Sequence, residues 1–483
     1  MATIRDLQPQ LVWELFDDIT RVPRPSKHEE QMTAFLEAFA AKHGIECHKD
    51  RIGNVVMRKP ATKGYEGRPT VILQAHTDMV CEKNSDVKHD FFTDPIRTRI
   101  VDGWVMAEGT TLGADCGIGV AAALAVMVDP AVEHGPVEAL FTVDEETGLT
   151  GAFNLGEGMI SGKYLINLDS EDDGELFIGC AGGVDTLATF KYKREAAPAD
   201  YLFYRVDVSG LTGGHSGDDI DKGRANSNKL LARLLVQAQE LCGVRLSTFD
   251  GGNLRNAIPR EAYAVVAVPP QHNEAFENLV SAFAADVKEE FRFTEPSLRL
   301  TLAPSEPAAL VDDASQRALL AALVGLPNGV LAMSFALPGL VETSTNLASV
   351  KFSGEDTVVV TTSQRSSLES AKLYAKESVA SVFRLAGAEV EHSDGYPGWT
   401  PNPQSNLLEW CKSSYLTLFG VEPKVRAIHA GLECGLFLEK YPHLEMVSFG
   451  PTLRGVHSPD ERIEIATVDK FWRLLLDVLR RVE

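Results

Sequence analysis

At 483 residues with 44% hydrophobic side chains, the chain is long enough for two or three domains, each with a core of its own. A formal charge of −22 argues against nucleic acid or an anionic membrane surface as partners. Seven cysteines, odd in number and never spaced CxxC, argue against a disulfide framework or a structural zinc site and fit a reducing cytoplasm.

The opening MATIRDLQPQLVWELFDDI reads as an amphipathic helix and lacks the basic start and continuous apolar stretch of a signal peptide. No run approaches the ~18 apolar residues of a membrane span. Helices are expected near 5–20, 28–43 and 116–128, and strands near 46–58, 70–75, 137–143 and 163–169. This alternation predicts an α/β domain with a mixed, largely parallel sheet flanked by helices. KREAAPAD (193–200), charged and containing proline, reads as a crossing between domains. Beyond it, YLFYRVDVSGL, EAYAVVAVP and SLRLTLAPS read as strands, and NSNKLLARLLVQAQEL and AFENLVSAFAADVKEEF as helices. Their order resembles a ferredoxin-like βαββαβ α+β unit. A partial second version follows: a strand pair (LVETSTNLASVKF, DTVVVTTSQRSS), a helix (SLESAKLYAKESVASVFRLAG) and a strand (AEVEHS). After the turn-rich YPGWTPNP (396–403), the LEMVSFG strand (444–450) restores the α/β character. The expected domains are therefore 1–190 with 396–483, interrupted by an inserted α+β domain over 191–395.

Three apolar runs end in metal-type ligands: TVILQAHTD, VEALFTVDEE and KYLINLD. A strand that stops at a histidine or carboxylate delivers it to one edge of the sheet, where open α/β sheets bind ligands. In a metal site His76 would use one ring nitrogen, and Asp78 would accept the other N–H and orient the ring. Adjacent carboxylates in DEE point to opposite sides of an extended segment, so one of Glu145 and Glu146 could ligate while the other faces bound water. Asp115 in LGADCGIG reads equally as a ligand or a helix N-cap, and Asp169 as a ligand or a turn residue. Oxygen and imidazole ligands suit a divalent ion such as Zn²⁺, Mn²⁺ or Co²⁺.

Together LQAHTDMV, GTTLGADCGIG, TVDEETGLTGA, INLDSEDDGE, GLTGGHSG, RNAIPRE, HAGLECG and GPTLRGVHSPDE resemble the M20 metallopeptidases over nearly the whole chain. Within that family they are most similar to the aminoacyl-histidine, or cytosol non-specific, dipeptidases. The resemblance implies two divalent ions, Zn²⁺ first with Co²⁺ or Mn²⁺ as alternatives. His76 and Asp169 would hold one and Glu146 and His457 the other, with Asp115 shared and Asp78 buttressing His76. It implies Glu145 as the general base toward a hydroxide held between the metals, and a non-proline cis peptide at Asp115–Cys116. It also implies that the inserted domain is a lid from which His215, in GGHSG, stabilises the oxyanion.

The residues suggest substrate contacts as well. Arg365 is a candidate clamp for a dipeptide's carboxylate, Asn256 a polar contact, and Glu433 a partner for the free amine. The expected activity is hydrolysis of Xaa-His and other unblocked, carnosine-like dipeptides in the cytoplasm. The alternative within the same fold is an N-acyl amino acid amidohydrolase. A homodimer is left open.

Overall fold

Continuous apolar runs build the strands on which everything else rests. The computed structural model describes residues 3–354 and 356–483. Val71–His76, Val137–Thr142 and Tyr164–Asn167 are buried at every position, as strands covered on both faces must be. They pair in parallel, and Glu445–Ser448 joins them in parallel beside Tyr164–Asn167. Antiparallel strands extend this core: the hairpin Glu46–Lys49 and Val55–Lys59 flanks Val137–Thr142, and Glu175–Cys180 pairs with Glu445–Ser448. The mixed sheet has eight strands among the described residues. The sequence anticipates the parallel core; it reads 46–58 as one strand where the chain turns back between Lys49 and Val55.

The helix Ala114–Val128 is buried on all sides over residues 114–127, which explains its alanine- and glycine-rich, nearly uncharged sequence. Its start is irregular: Gly113 has φ +69°, Asp115 and Cys116 have non-helical dihedrals, and the Asp115–Cys116 peptide is cis. No helix of the described residues is long and apolar enough to cross a membrane.

The chain divides into two compact units. One comprises the chain up to Gly179, Pro401–Ala427 and Glu433–Glu483; the other comprises Cys180–Thr400 and Ile428–Leu432. Residues 180–190, expected with the first domain, belong to the second unit, because Gly182–Lys191 is one strand paired along its length with Thr357–Ser366. KREAAPAD is accordingly not a crossing: Arg194–Glu195 pairs with Leu310–Val311 inside the second unit.

The second unit is an antiparallel sheet ordered Arg299–Pro304, Leu202–Ser209, Ala262–Val268, Arg245–Gly251, Val341–Ser353, Thr357–Ser366, Gly182–Lys191 and Glu389–His392. Gly329–Met333 pairs with Val341–Ser353 beside this path. Leu231, Phe276, Leu323 and Phe383, from four helices, meet the sheet residues Val206, Phe249 and Val360 in one core. Arg245–Gly251 is the strand missing from the expected βαββαβ order; RLSTFDG is too polar to announce itself.

Gly119 lies where the buried helix crosses the end of Tyr164–Asn167. A Cβ there would lie 2.6 Å from Cys116 Sγ and 2.7 Å from the Leu168 carbonyl oxygen. Gly119→Ala should cost ~1–3 kcal/mol by overpacking and lower Tm by roughly 2 °C or more. An unchanged melting curve would contradict this.

Candidate metal centre

The parallel core brings the carboxyl ends of its strands to one edge. His76 closes its strand opposite Thr142, and Asp144–Glu146 and Asp169 follow directly after neighbouring strands. His457 reaches the same place from a loop in which it has φ +63°, a left-handed conformation uncommon outside glycine.

Asp115 stands between the two histidines. Its Oδ1 lies 3.1 Å from His76 Nε2 and its Oδ2 lies 3.2 Å from His457 Nε2. His76 Nε2 is also 3.3 Å from Asp169 Oδ1, and His457 Nε2 is 2.9 Å from Glu146 Oε2. Two donor sets of one imidazole and two carboxylates thus share Asp115: His76, Asp115 and Asp169; His457, Asp115 and Glu146.

Asp78 lies beneath both sets. Its Oδ1 is 3.3 Å from His76 Nδ1, and its carboxylate accepts hydrogen bonds from the backbone N–H of Glu145 (3.0 Å), the N–H of Glu146 (3.2 Å) and the hydroxyl of Ser26 (2.8 Å). One buried carboxylate therefore orients the His76 ring and the segment carrying Glu145 and Glu146.

The electrostatics fit cations. Burial works against the charge of Asp115, but hydrogen bonds from His457 and His76 outweigh it and hold its carboxyl far below the ordinary range. Hydrogen bonds to Asp115 and Glu146 raise His457 to about 11. Burial pushes Asp169 up to about 6 and Glu145 well above a normal carboxyl. Glu146 Oε1 is buried without a hydrogen-bond partner, a costly arrangement unless something positive is bound there. The donor types suit Zn²⁺, Co²⁺ or Mn²⁺, so the residues present fit a pair of divalent ions.

Other acidic groups nearby differ. Glu29, Asp78 and Asp144 also cluster, but Glu29 accepts from the N–H of Lys27 and of Asp144. Asp144 in turn accepts from the hydroxyls of Thr147 and Thr150. These bonds account for the group without an ion.

Glu433 is not on an open loop. It begins the helix Glu433–Lys440, is buried, and accepts from Gln74 Nε2 (2.6 Å) and Thr142 Oγ1 (2.8 Å), leaving Oε1 unpartnered. Burial raises it to about 8.

The second unit holds His215, Asn256 and Arg365. Gly214–His215 pairs with Ala257–Ile258, and the Asn256 carbonyl accepts from Ser216 N–H at 2.8 Å while the residue itself is exposed. Arg365 is buried, donates to the Tyr396 hydroxyl at 2.9 Å, and keeps an unpartnered Nε. Burial and the Arg365 charge lower both His215 and His429, the latter to about 3. Gly217 is required here: a Cβ would lie 2.1 Å from the His429 carbonyl oxygen.

Sequence reasoning missed Ser26, Tyr396 and Cys116, whose sulfur groups with His76 and Asp169. Isolated residues of common types carry no signal in a single sequence.

Residues 72–481 match the model of Peptidase family M20/M25/M40. The chain belongs to this family of peptide-bond hydrolases. It is 43% identical to the cytosol non-specific dipeptidase of Escherichia coli, over 100% of this chain and 99% of that protein. The crystal structure of aminoacylhistidine dipeptidase from Vibrio alginolyticus superposes with TM-score 0.94 at 43% identity, covering 100% of this chain and 98% of that one. Aminopeptidase PepT from Bacillus cereus shares the fold at TM-score 0.59 and 17% identity, covering 99% of each chain.

Because the folded Glu433 carboxyl titrates near 8 instead of the ordinary 4.5, its stability contribution is present below pH 4.5 and is lost as pH climbs through about 8. After chelation, Glu433→Gln should be more stable than wild type at about pH 9, with the difference vanishing toward pH 4.5. Parallel stability–pH curves would contradict the assignment.

Proposed function

We propose that the protein is a cytoplasmic dipeptidase that uses two divalent cations, Zn²⁺ with Co²⁺ or Mn²⁺ as alternatives, to hydrolyse unblocked dipeptides, Xaa-His among them. The observation that carries this reading is Asp115 presenting one oxygen to each of two histidines. Similarity to two dipeptidases over the full chain supports the substrate class.

His76, Asp115 and Asp169 would hold one ion, and His457, Asp115 and Glu146 the other. When bound, the ions supply positive charge that acidifies water and polarises the peptide carbonyl. The protein supplies the proton traffic. Glu145, whose buried carboxyl has a raised proton affinity, takes the proton of the attacking water at a carboxylate oxygen and returns it to the leaving amine. Asp78 keeps His76 and the Glu145 backbone aligned throughout.

The second unit is assigned to the substrate as a lid. Arg365, its fork steadied by Tyr396, pairs with the dipeptide's carboxylate. His215, held neutral by burial and by Arg365, donates an N–H to the oxygen on which charge develops. Asn256 contributes a polar contact. Glu433, bonded to Gln74 and Thr142 and with Oε1 unpartnered, is assigned to the substrate's ammonium, a positive charge that would favour the ionised form of its raised carboxyl.

Chelation followed by metal-by-metal restoration on a Xaa-His dipeptide, beside a panel of N-acyl amino acids, tests the reading. Cleavage of blocked substrates alone would establish the amidohydrolase alternative. Glu145→Gln should retain both ions and lose ~10²–10⁴-fold in kcat; near-full activity would remove it as the base. Arg365→Met should raise KM for free dipeptides ~10–100-fold, the range for a charge-assisted hydrogen bond, and leave dipeptide amides unaffected. An equal change for both would end the clamp assignment.

A further inference from the structure

The segment that delivers Asp115 is held by two buried side chains of opposite charge that the reaction does not use. Glu461, 2% exposed, accepts four consecutive backbone N–H groups. Its Oε2 takes those of Leu112 (2.7 Å) and Gly113 (3.0 Å), and its Oε1 those of Ala114 (2.8 Å) and Asp115 (3.4 Å). Successive N–H groups aimed at one point form an anion-binding nest, and here the anion is a side chain of the same protein. Glu461 also ends the loop that carries His457, so one carboxylate ties together the backbones of two site residues.

Arg24, 1% exposed, works from the other side. It donates to the carbonyls of Thr77 (3.0 Å) and Asp78 (2.9 Å), directly after His76, and to the carbonyl of Gly113. Its own backbone carbonyl accepts from Met79 N–H at 3.1 Å, and the neighbouring Ser26 bonds to Asp78. The glycines of LGADCGIG follow from this packing. A Cβ at Gly113 would lie 2.5 Å from the Arg24 guanidinium, and one at Gly117 would lie 2.7 Å from it. The charges of Glu461 and Arg24 favour one another, and the carbonyls and N–H groups they bind belong to the segments bearing His76, Asp78 and Asp115.

We propose that Arg24 and Glu461 are positioning residues that fix the backbone of Leu112–Asp115 against the His76–Asp78 and His457 segments, so that the Asp115 carboxylate stands in its shared position before any ion binds. This rests on the proposed two-ion site, but its central claim concerns order in the protein without metal.

Hydrogen exchange of the full chain, with and without bound divalent ion, tests it directly. The amides of Leu112, Gly113 and Ala114 should keep their protection within a few-fold after chelation. If chelation makes them exchange at the rate of open loops, the ion orders the segment and the proposal is overturned. Glu461→Gln replaces one acceptor oxygen with an NH₂ facing N–H donors. It should weaken divalent-ion affinity ~10–100-fold, as loss of outer-shell support does elsewhere. It should also alter the visible absorption of the Co²⁺ form, with KM unchanged at saturating metal. Affinity within two-fold of wild type together with an unchanged Co²⁺ spectrum would overturn it. If the variant does not fold, the exchange experiment on the wild-type protein decides alone. Failure of the two-ion reading itself is recognised separately, as wild-type protein that binds no divalent ion.

Discussion

Crowding of carboxylates at one buried sheet edge is the constraint on which the molecule depends. Asp78, Asp115, Glu146 and Asp169, their side chains largely buried, converge with the buried His76 and with His457, which reaches them from the exposed side. Buried like charges repel, and the Glu146 oxygen left without a partner carries a desolvation cost of its own. Asp115 resolves part of this by facing a histidine with each oxygen. The remainder calls for cations, and the parallel strands, the all-buried helix and the loop to His457 all serve to hold this set in place.

Rigid backbone makes such a set possible. The segments that carry His76, Asp115 and Glu146 are each tied by a buried side chain. Asp78 collects the N–H groups of Glu145 and Glu146, Glu461 those of residues 112–115, and Arg24 the carbonyls between them. Glycines 113 and 117 leave space for the guanidinium, and Gly119 lets the helix approach Leu168, just before Asp169. Chemistry and packing are thus written in the same short motif.

Much of the first unit was legible from the sequence, because buried parallel strands are continuous apolar runs and each ends at a polar residue with something to bind. His76 and the DEE segment announce themselves in this way. The meeting of Asp115 and His457 at the strand ends was not legible from local pattern: one opens a helix, the other sits in a turn, and family resemblance rather than periodicity singled them out. Arg24 and Glu461 gave no signal at all, since their partners are backbone groups distant in sequence. In the second unit, alternating strands were readable, but Arg245–Gly251 was hidden by its polar residues. The unit boundary at Cys180 was likewise hidden inside what reads as a run of small residues. Glu433 was a candidate partner for the free amine, and its bonds to Gln74 and Thr142 could be seen only in three dimensions.

The shared carboxylate of Asp115 is the central claim, and metal stoichiometry reads it most directly. Equilibrium dialysis against Zn²⁺ followed by elemental analysis should find two ions per chain in the wild-type protein. Asp115→Ala should lose both, because each donor set loses a member at once. Retention of two tightly held ions by Asp115→Ala, or a single ion in the wild type, would contradict the shared site.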